Sequence, residues 1–252
     1  YQSAKKRTAL LPFLKRDTFY LLVIPMDEET PQGRFLRPQA MVEEYITRHW
    51  AYPVVFRLSL QKARGNKQEH NEEHDRFMSL VEMLQKKLHC IITDSQAMDV
   101  MSQWCPDDVM LTTFSIIMIN YQSGGKLKKF VNGACKLNSL AVNDKILIAE
   151  ACNHTRIAED IGTVQIPNLL QNKIPGIIIE HSFGREFKDI EELKQYSLVI
   201  HCGGCMISHQ KMQARIRDLE MVNVPFTNYG IVLSMLQGKE ILNKVIQPFE
   251  NA

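Results

Sequence analysis

Three cysteines and two histidines in the second half of the chain are grouped in a way that suits metal chemistry. Cys152 and His154 form a Cys-x-His group, 46 residues follow, and His201, Cys202 and Cys205 form the group His-Cys-Gly-Gly-Cys. Thiolates and imidazoles are the ligands that proteins offer to zinc ions and to iron–sulfur clusters. The spacing therefore predicts one metal centre that is held by two distant pieces of chain.

The ligand set is incomplete for an ordinary 4Fe–4S cluster, which four cysteines usually hold. The missing ligand would come from a nearby side chain, or one iron would stay open to an outside ligand. An open iron would indicate a functional site rather than a structural one. The local candidates for the fourth position are His154, His201, Glu159 and Asp160.

Other interpretations explain the same residues. A structural zinc ion with mixed cysteine and histidine ligands fits the spacing. A redox-active Cys-x-x-Cys pair explains Cys202 and Cys205 but leaves Cys152 and His154 unused. A chance grouping of buried thiols is the third alternative. The sequence therefore leaves iron–sulfur, zinc and thiol chemistry open.

The composition is that of a globular protein and excludes several classes. The chain has 252 residues, 45% of them hydrophobic and 23% charged, and a net charge of +2. This charge is too small to indicate binding to nucleic acid or to an anionic membrane. No apolar run approaches the roughly 20 residues that span a bilayer. There is also no phosphate-binding loop and no dinucleotide-binding glycine motif.

Apolar runs alternate with helical patterns, which is typical of parallel α/β sheets. We expect an α/β fold of two domains, each a mostly parallel sheet flanked by helices, and we find no internal repeat. The turn around 122–126 separates a first domain, 1–121, from a second domain, 122–252. Residues 61–76 are highly charged and predict an exposed insertion or the start of a solvated helix, before a helix at 77–87. Predicted strands lie at 19–25, 53–58, 89–93, 110–114, 145–151, 176–180, 198–201 and 224–227.

The predicted strands explain how the two ligand groups meet. Cys152 directly follows the strand predicted at 145–151, and Cys202 directly follows the strand predicted at 198–201. In an open parallel sheet, ligands bind beyond the carboxyl ends of the strands. If these strands are neighbours, both groups lie at one edge of the sheet, and Asn228 and Tyr229 are expected to line the same crevice.

Longer stretches around these motifs resemble the HydF family of FeFe-hydrogenase maturation GTPases. The segments EACNHTRIAEDIGTVQIPNLL, LVIHCGGCMISHQKM and VPFTNYGIVLSMLQG are similar to that family's cluster-binding domain. The segments VIPMDEETPQGRFLRPQ and IITDSQA are similar to its dimerisation domain. The resemblance extends from about residue 15 to the end of the chain.

The resemblance implies a scaffold and carrier for assembly of the hydrogenase cofactor. The cluster would be a 4Fe–4S cluster bound by Cys152, Cys202 and Cys205, with His154, His201 and Glu159 as further binding residues. Its cargo would be a diiron subcluster precursor, received with the help of radical-SAM maturases and delivered to apo-FeFe-hydrogenase. The resemblance also implies a homodimer formed by joining parallel sheets.

The family's N-terminal GTPase domain has no counterpart in these residues. We therefore expect this chain not to be an enzyme, and GTP binding to belong only to a full-length family protein. An oxygen-sensitive cluster implies a reducing, anaerobic compartment, which is the cytoplasm or, in a eukaryote, a hydrogenosome or plastid.

Overall fold

The computed structural model describes residues 8–26, 35–151 and 160–250. Contacts between Cα atoms divide these residues into two units. The first unit contains residues 13–26, 35–115 and 233–250, and the second contains residues 8–12, 116–151 and 160–232. Each unit is built around one sheet.

The first sheet holds four parallel strands within the described part of the chain, in the order β2-β1-β3-β4. The central strand β1 pairs with a neighbour on each side, and its side chains are almost all buried. This burial explains its unbroken apolar sequence, which is typical of parallel sheets covered on both faces. The strands are β1 (Phe19–Pro25), β2 (Tyr52–Leu58), β3 (Leu88–Thr93) and β4 (Met110–Thr113).

The second sheet repeats this arrangement, with four described parallel strands in the order β6-β5-β7-β8. The expectation of two α/β domains with mostly parallel sheets is confirmed, and the two sheets share one strand order although the sequence shows no internal repeat. This likeness lies in the order of the apolar strands rather than in residue identity. The strands are β5 (Lys145–Glu150), β6 (Ile178–Phe183), β7 (Leu198–His201) and β8 (Phe226–Asn228).

Helices connect the strands and form the remaining layers. Short 3-10 or π turns occur at Ser95–Ala97, Cys135–Asn138 and Ile161–Gln165. The helices of the described ranges are α1 (Arg37–Arg48), α2 (Leu60–Ala63), α3 (Lys67–Leu84), α4 (Met98–Trp104), α5 (Phe114–Gln122), α6 (Leu127–Ala134), α7 (Ile166–Lys173), α8 (Ile190–Leu193), α9 (His209–Met221), α10 (Tyr229–Gln237) and α11 (Lys239–Glu250). None of these helices is both long and apolar enough to cross a membrane.

The charged segment 61–76 is mostly helical. Helix α3 begins at Lys67, ten residues before the predicted start at 77. Its first turn is stabilised by a capping box: the Asn66 side chain accepts from the N–H groups of Gln68 and Glu69, and the Glu69 carboxylate accepts from the Asn66 N–H. This reciprocal cap satisfies backbone donors that would otherwise lack partners, so the helix extends into a highly polar stretch.

Candidate metal centre

The two strands that precede the ligand groups in the sequence, β5 and β7, are paired neighbours in the second sheet. The predicted neighbourhood of these strands is therefore confirmed. Cys202 follows the last residue of β7, and its N–H donates to the Ala149 carbonyl of β5 at 3.0 Å. In turn, the Ala151 N–H donates to the Cys202 Sγ at 3.2 Å. The backbone immediately before Cys152 thus lies at the sulfur of Cys202.

A second backbone amide also points at the Cys202 sulfur. The Gly204 N–H donates to the Sγ at 3.4 Å from within the Cys-Gly-Gly-Cys turn. Gly204 has a φ of +67°, and a Cβ atom there would lie 2.5 Å from the Cε of Met212. The Met212 methyl ends a flexible side chain and can move aside, so the left-handed conformation is the stronger reason for glycine at this position. Glycine thus favours the turn that directs this amide at the sulfur.

The environment of Cys202 suits a metal-bound thiolate. Burial raises the pKa of Cys202 to about 11, although the N–H groups of Ala151 and Gly204 oppose the rise. The sulfur therefore keeps its proton at neutral pH unless a metal ion displaces it, as metal binding to thiols does. Two amides already aimed at the sulfur would then stabilise the thiolate. Cys202 thus fits the donor set that an iron–sulfur cluster or zinc ion needs.

Of the remaining predicted ligands, some lie among the described residues and others do not. Cys205 lies three residues after Cys202 and is partly exposed, as an accessible ligand would be. Cys152, His154 and Glu159 lie outside the described residues. The described His, Cys, Asp and Glu side chains by themselves form no group of three that could hold a metal ion. Of the predicted set, the structure therefore places His201, Cys202 and Cys205 at the edge of the sheet.

His201 is fully buried and has a partner at each ring nitrogen. Its Nδ1 lies 2.7 Å from the Cys202 carbonyl oxygen, and its Nε2 accepts from Nη1 of Arg215 at 2.7 Å. Burial and the adjacent guanidinium lower the pKa of His201 to about 3. The imidazole is therefore neutral, with its proton on Nδ1.

Arg215 is the residue of this site that sequence reasoning missed. A signal for it exists in α9, where Met212, Arg215, Ile216 and Leu219 are buried at spacings of three and four residues. Such spacing marks the buried stripe of a helix, and an arginine on that stripe must have internal partners.

Polar residues at the ends of β5 and β8 complete the surroundings. The Asn228 amide donates to the His201 carbonyl at 3.2 Å, and the Tyr229 hydroxyl donates to the Glu150 carboxylate at 3.4 Å. Asn228, Tyr229 and Glu150 are all buried. Asn228 and Tyr229 thus lie at the edge where they were expected. Asp160, a candidate ligand, accepts from the N–H and hydroxyl of Thr163 at the start of the π turn.

Comparison with individual known proteins yields no informative relative. No curated protein sequence matches the chain significantly. Among solved structures, one similar chain is described as a LacI-family transcription repressor from Corynebacterium glutamicum; it shares 12% identity at a TM-score of 0.25, over 92% of this chain and 91% of that chain. A likeness this weak supports no conclusion.

Two family models together account for almost the whole chain. Residues 10–123 match the hydrogen maturase F dimerization domain, and residues 128–248 match the hydrogen maturase F tetramerization domain. The second match contains every residue of the Cys-x-His and His-Cys-Gly-Gly-Cys groups. Since these models cover both halves of the chain and the motifs on which the resemblance was based, the chain belongs to the hydrogen maturase F, or HydF, family.

Proposed function

We propose that this chain is the self-associating, cluster-binding part of a HydF maturase. It holds a 4Fe–4S cluster through Cys152, Cys202 and Cys205, and His154 and Glu159 are the candidates for an exchangeable fourth position. Its cargo is a diiron precursor, which it delivers to apo-FeFe-hydrogenase. The family membership and the chemistry of the Cys202 surroundings support this proposal.

The observation that carries the proposal is the pair of backbone amides aimed at the Cys202 sulfur. Two N–H donors on one sulfur compensate the charge of a thiolate, and such donors also raise the reduction potential of a cluster. An ordinary buried thiol has no need of two amide donors, because its S–H is only weakly polar. The partly exposed Cys205 leaves one side of the site accessible to an incoming ligand.

In this role the residues of the chain bind and orient rather than catalyse. When bound, the cluster supplies an iron whose remaining coordination position can be exchanged. The paired strands β5 and β7 end shortly before Cys152 and Cys202 in the sequence. The buried Asn228 amide holds the His201 carbonyl, and the buried Tyr229 hydroxyl holds the Glu150 carboxylate. We assign no GTPase activity to these residues. The expected partners are a second copy of the chain, the radical-SAM maturases and apo-hydrogenase.

The proposal is tested by anaerobic reconstitution with iron and sulfide, followed by metal analysis and EPR of the dithionite-reduced protein. We expect about four irons per chain and the signal of a reduced 4Fe–4S cluster. Cys202→Ser should lose most of this iron, because the shielded thiolate is gone. The matched control is Cys135→Ser, which removes an exposed cysteine and should keep the full iron content.

The alternative of a zinc-binding module predicts a different result. Stoichiometric zinc, no uptake of iron and no EPR signal would contradict the proposal and favour a closed structural site. The exchangeable position is tested on the same sample, since imidazole or cyanide should shift the EPR signal. A cluster that forms but ignores both ligands would contradict the carrier role.

A further inference from the structure

Arg215 is a buried cation next to the candidate metal centre. Its side chain is 4% exposed, and its guanidinium lies over the ring of Phe187 with 4.7 Å between the Cζ and the ring centroid. Nη1 donates to Nε2 of His201, as described above. Nη2 donates at 2.9–3.2 Å to three consecutive backbone carbonyls that follow β6, those of Gly184, Arg185 and Glu186.

These partners satisfy the hydrogen bonds of Arg215 but not its charge. Carbonyls and a neutral imidazole carry no net negative charge, and none of the ion pairs between described residues includes Arg215. The nearby Glu186 carboxylate is fully exposed and screened by water. Since a buried, uncompensated charge is costly, the fold must gain something from keeping Arg215 inside. The cysteine site adjoins this cation, because His201, which accepts from Arg215, directly precedes Cys202 and contacts its carbonyl. A metal-bound thiolate at Cys202 would supply negative charge there.

His201 connects Arg215 to the backbone of Cys202. A guanidinium does not lose its proton, so the Nε2 lone pair of His201 is occupied by the Arg215 N–H. The Nδ1 then carries the ring proton and donates to the Cys202 carbonyl. Iron would need the occupied lone pair, and taking it would leave Arg215 buried without this acceptor.

We propose that Arg215 and His201 act on the cluster from outside its coordination shell, with Arg215 supplying positive charge and His201 positioning the backbone of Cys202 instead of binding iron. This inference rests on the proposed function, because it requires a cluster at the cysteines. Neither residue is a catalytic residue. The pair is a positioning and charge-compensating device that no local sequence motif reveals.

The charge of Arg215 is tested by the reduction potential of the reconstituted cluster. Reduction adds negative charge, so a buried cation nearby favours the reduced form. Arg215→Gln should lower the equilibrium constant for reduction at least tenfold, which is about 59 mV for a one-electron couple. The matched control is Arg217→Gln, which removes the same charge from an exposed position two residues away on α9 and should change the constant less than twofold. Equal potentials in the two variants would overturn the role of Arg215.

The role of His201 is tested by pulsed EPR of protein labelled with ¹⁵N-histidine. We expect no iron-bound imidazole nitrogen in the His154→Gln variant, in which His201 is intact. A strong nitrogen coupling that persists in His154→Gln and vanishes in His201→Gln would overturn the inference. Should Arg215→Gln take up no cluster, Arg215→Lys, which keeps the positive charge, replaces it: we expect this variant to take up the cluster, and a failure to do so would overturn the role of the charge. A wild-type chain that binds no iron would overturn the proposed function, and with it this inference.

Discussion

Glu73 is a buried carboxylate whose partners come from two directions. Its side chain is 4% exposed, accepts from the Ser59 N–H at 2.7 Å, and forms an ion pair with Arg76 at 2.6 Å. Burial raises the pKa of Glu73, but the hydrogen bonds from Arg76 and Ser59 outweigh burial, so the pKa lies below its ordinary value. Glu73 therefore stabilises the first unit mainly in its charged form.

Replacing Glu73 by glutamine should destabilise the protein by about 2 kcal/mol at pH 7, because hydrogen bonds to a charged group are lost. A carboxylate with a lowered folded-state pKa contributes stability above its unfolded pKa of about 4.3 and loses that contribution as the pH falls through the folded value. The difference between wild type and Glu73→Gln should therefore shrink below about pH 4. Urea unfolding at pH 7 and at pH 3.5 measures both effects.

Glu82→Gln is the control for this prediction, since Glu82 is exposed on the same helix. It should change the free energy of unfolding by no more than about 0.5 kcal/mol. A constant difference between wild type and Glu73→Gln at both pH values would show that the charge of Glu73 does not contribute.

At this scale the positions of His201 and Cys202 could be predicted from the sequence, because one ends a short apolar strand and the other follows it. Such positions can be located without knowing the rest of the fold. That these residues and Cys205 hold a cluster stays a prediction. Arg215 could not be placed in the same way. Its partners are β7 and the loop after β6, and a helical pattern does not show which strands a helix will pack against.

Among the elements, the apolar helix α5 was the hardest to predict. Helix α5 (FSIIMINYQ) directly follows β4, and its sequence has no polar face. Without a polar face the spacing of apolar residues does not distinguish a buried helix from a strand. Helix α3 was predicted too short for the opposite reason, because its first ten residues are almost entirely polar and only the Asn66 cap marks its start.

The contact between α6 and β8 allows a sharp test at this scale. Gly133 of α6 lies directly against the backbone of Phe226, and a Cβ atom at Gly133 would be 1.9 Å from the Phe226 carbonyl oxygen. Phe130, one helical turn earlier, packs edge-to-face on the Phe226 ring, with 4.9 Å between ring centroids. The helix therefore has no room to accept a methyl group without moving off the strand.

Gly133→Ala should lower the free energy of unfolding by about 2–3 kcal/mol, because overpacking displaces α6 from β8. Helix propensity alone predicts the opposite sign, since alanine is favoured over glycine by about 1 kcal/mol. The free energy of unfolding from chemical denaturation distinguishes the overpacking prediction from the helix-propensity prediction. Asn132→Ala is the control, because Asn132 is exposed on the same helix and its replacement should be neutral or slightly stabilising. A stabilised Gly133→Ala variant would show that the contact is looser than the structure indicates.

On the scale of the whole molecule, the two units share more than a strand order. The last strand of each sheet runs straight into an apolar helix, from β4 into α5 and from β8 into α10. The helix that follows each of these pairs packs on the last strand of the other sheet. Helix α6, which follows β4 and α5, packs on β8, and helix α11, which follows β8 and α10, packs on β4. Contacts of this kind join residues more than 90 positions apart, so no local pattern predicts them. At the other edge of each sheet, away from β4 and β8, the edge strands are β2 and β6.

The edge of β2 offers a test of self-association. The Tyr52 N–H donates to the Thr18 carbonyl next to β1, and since backbone groups alternate along a strand, the Val55 N–H faces outward. Strand β2 lies within the region that matches the dimerization domain, and its first residue, Tyr52, is exposed. We therefore expect two copies of the chain to join their first sheets along β2.

Val55→Pro removes the outward N–H without touching a bond to β1. In a two-fold symmetric dimer the loss occurs twice, and at about 1 kcal/mol for each hydrogen bond the dissociation constant should rise at least ~30-fold. Sedimentation velocity over a range of concentrations measures this change. Val55→Thr keeps both the N–H and the branched side chain and should dimerise like wild type. A Val55→Pro variant that remains folded and dimerises as tightly as Val55→Thr would show that the copies associate through another surface, because pairing along β2 needs the outward N–H of residue 55.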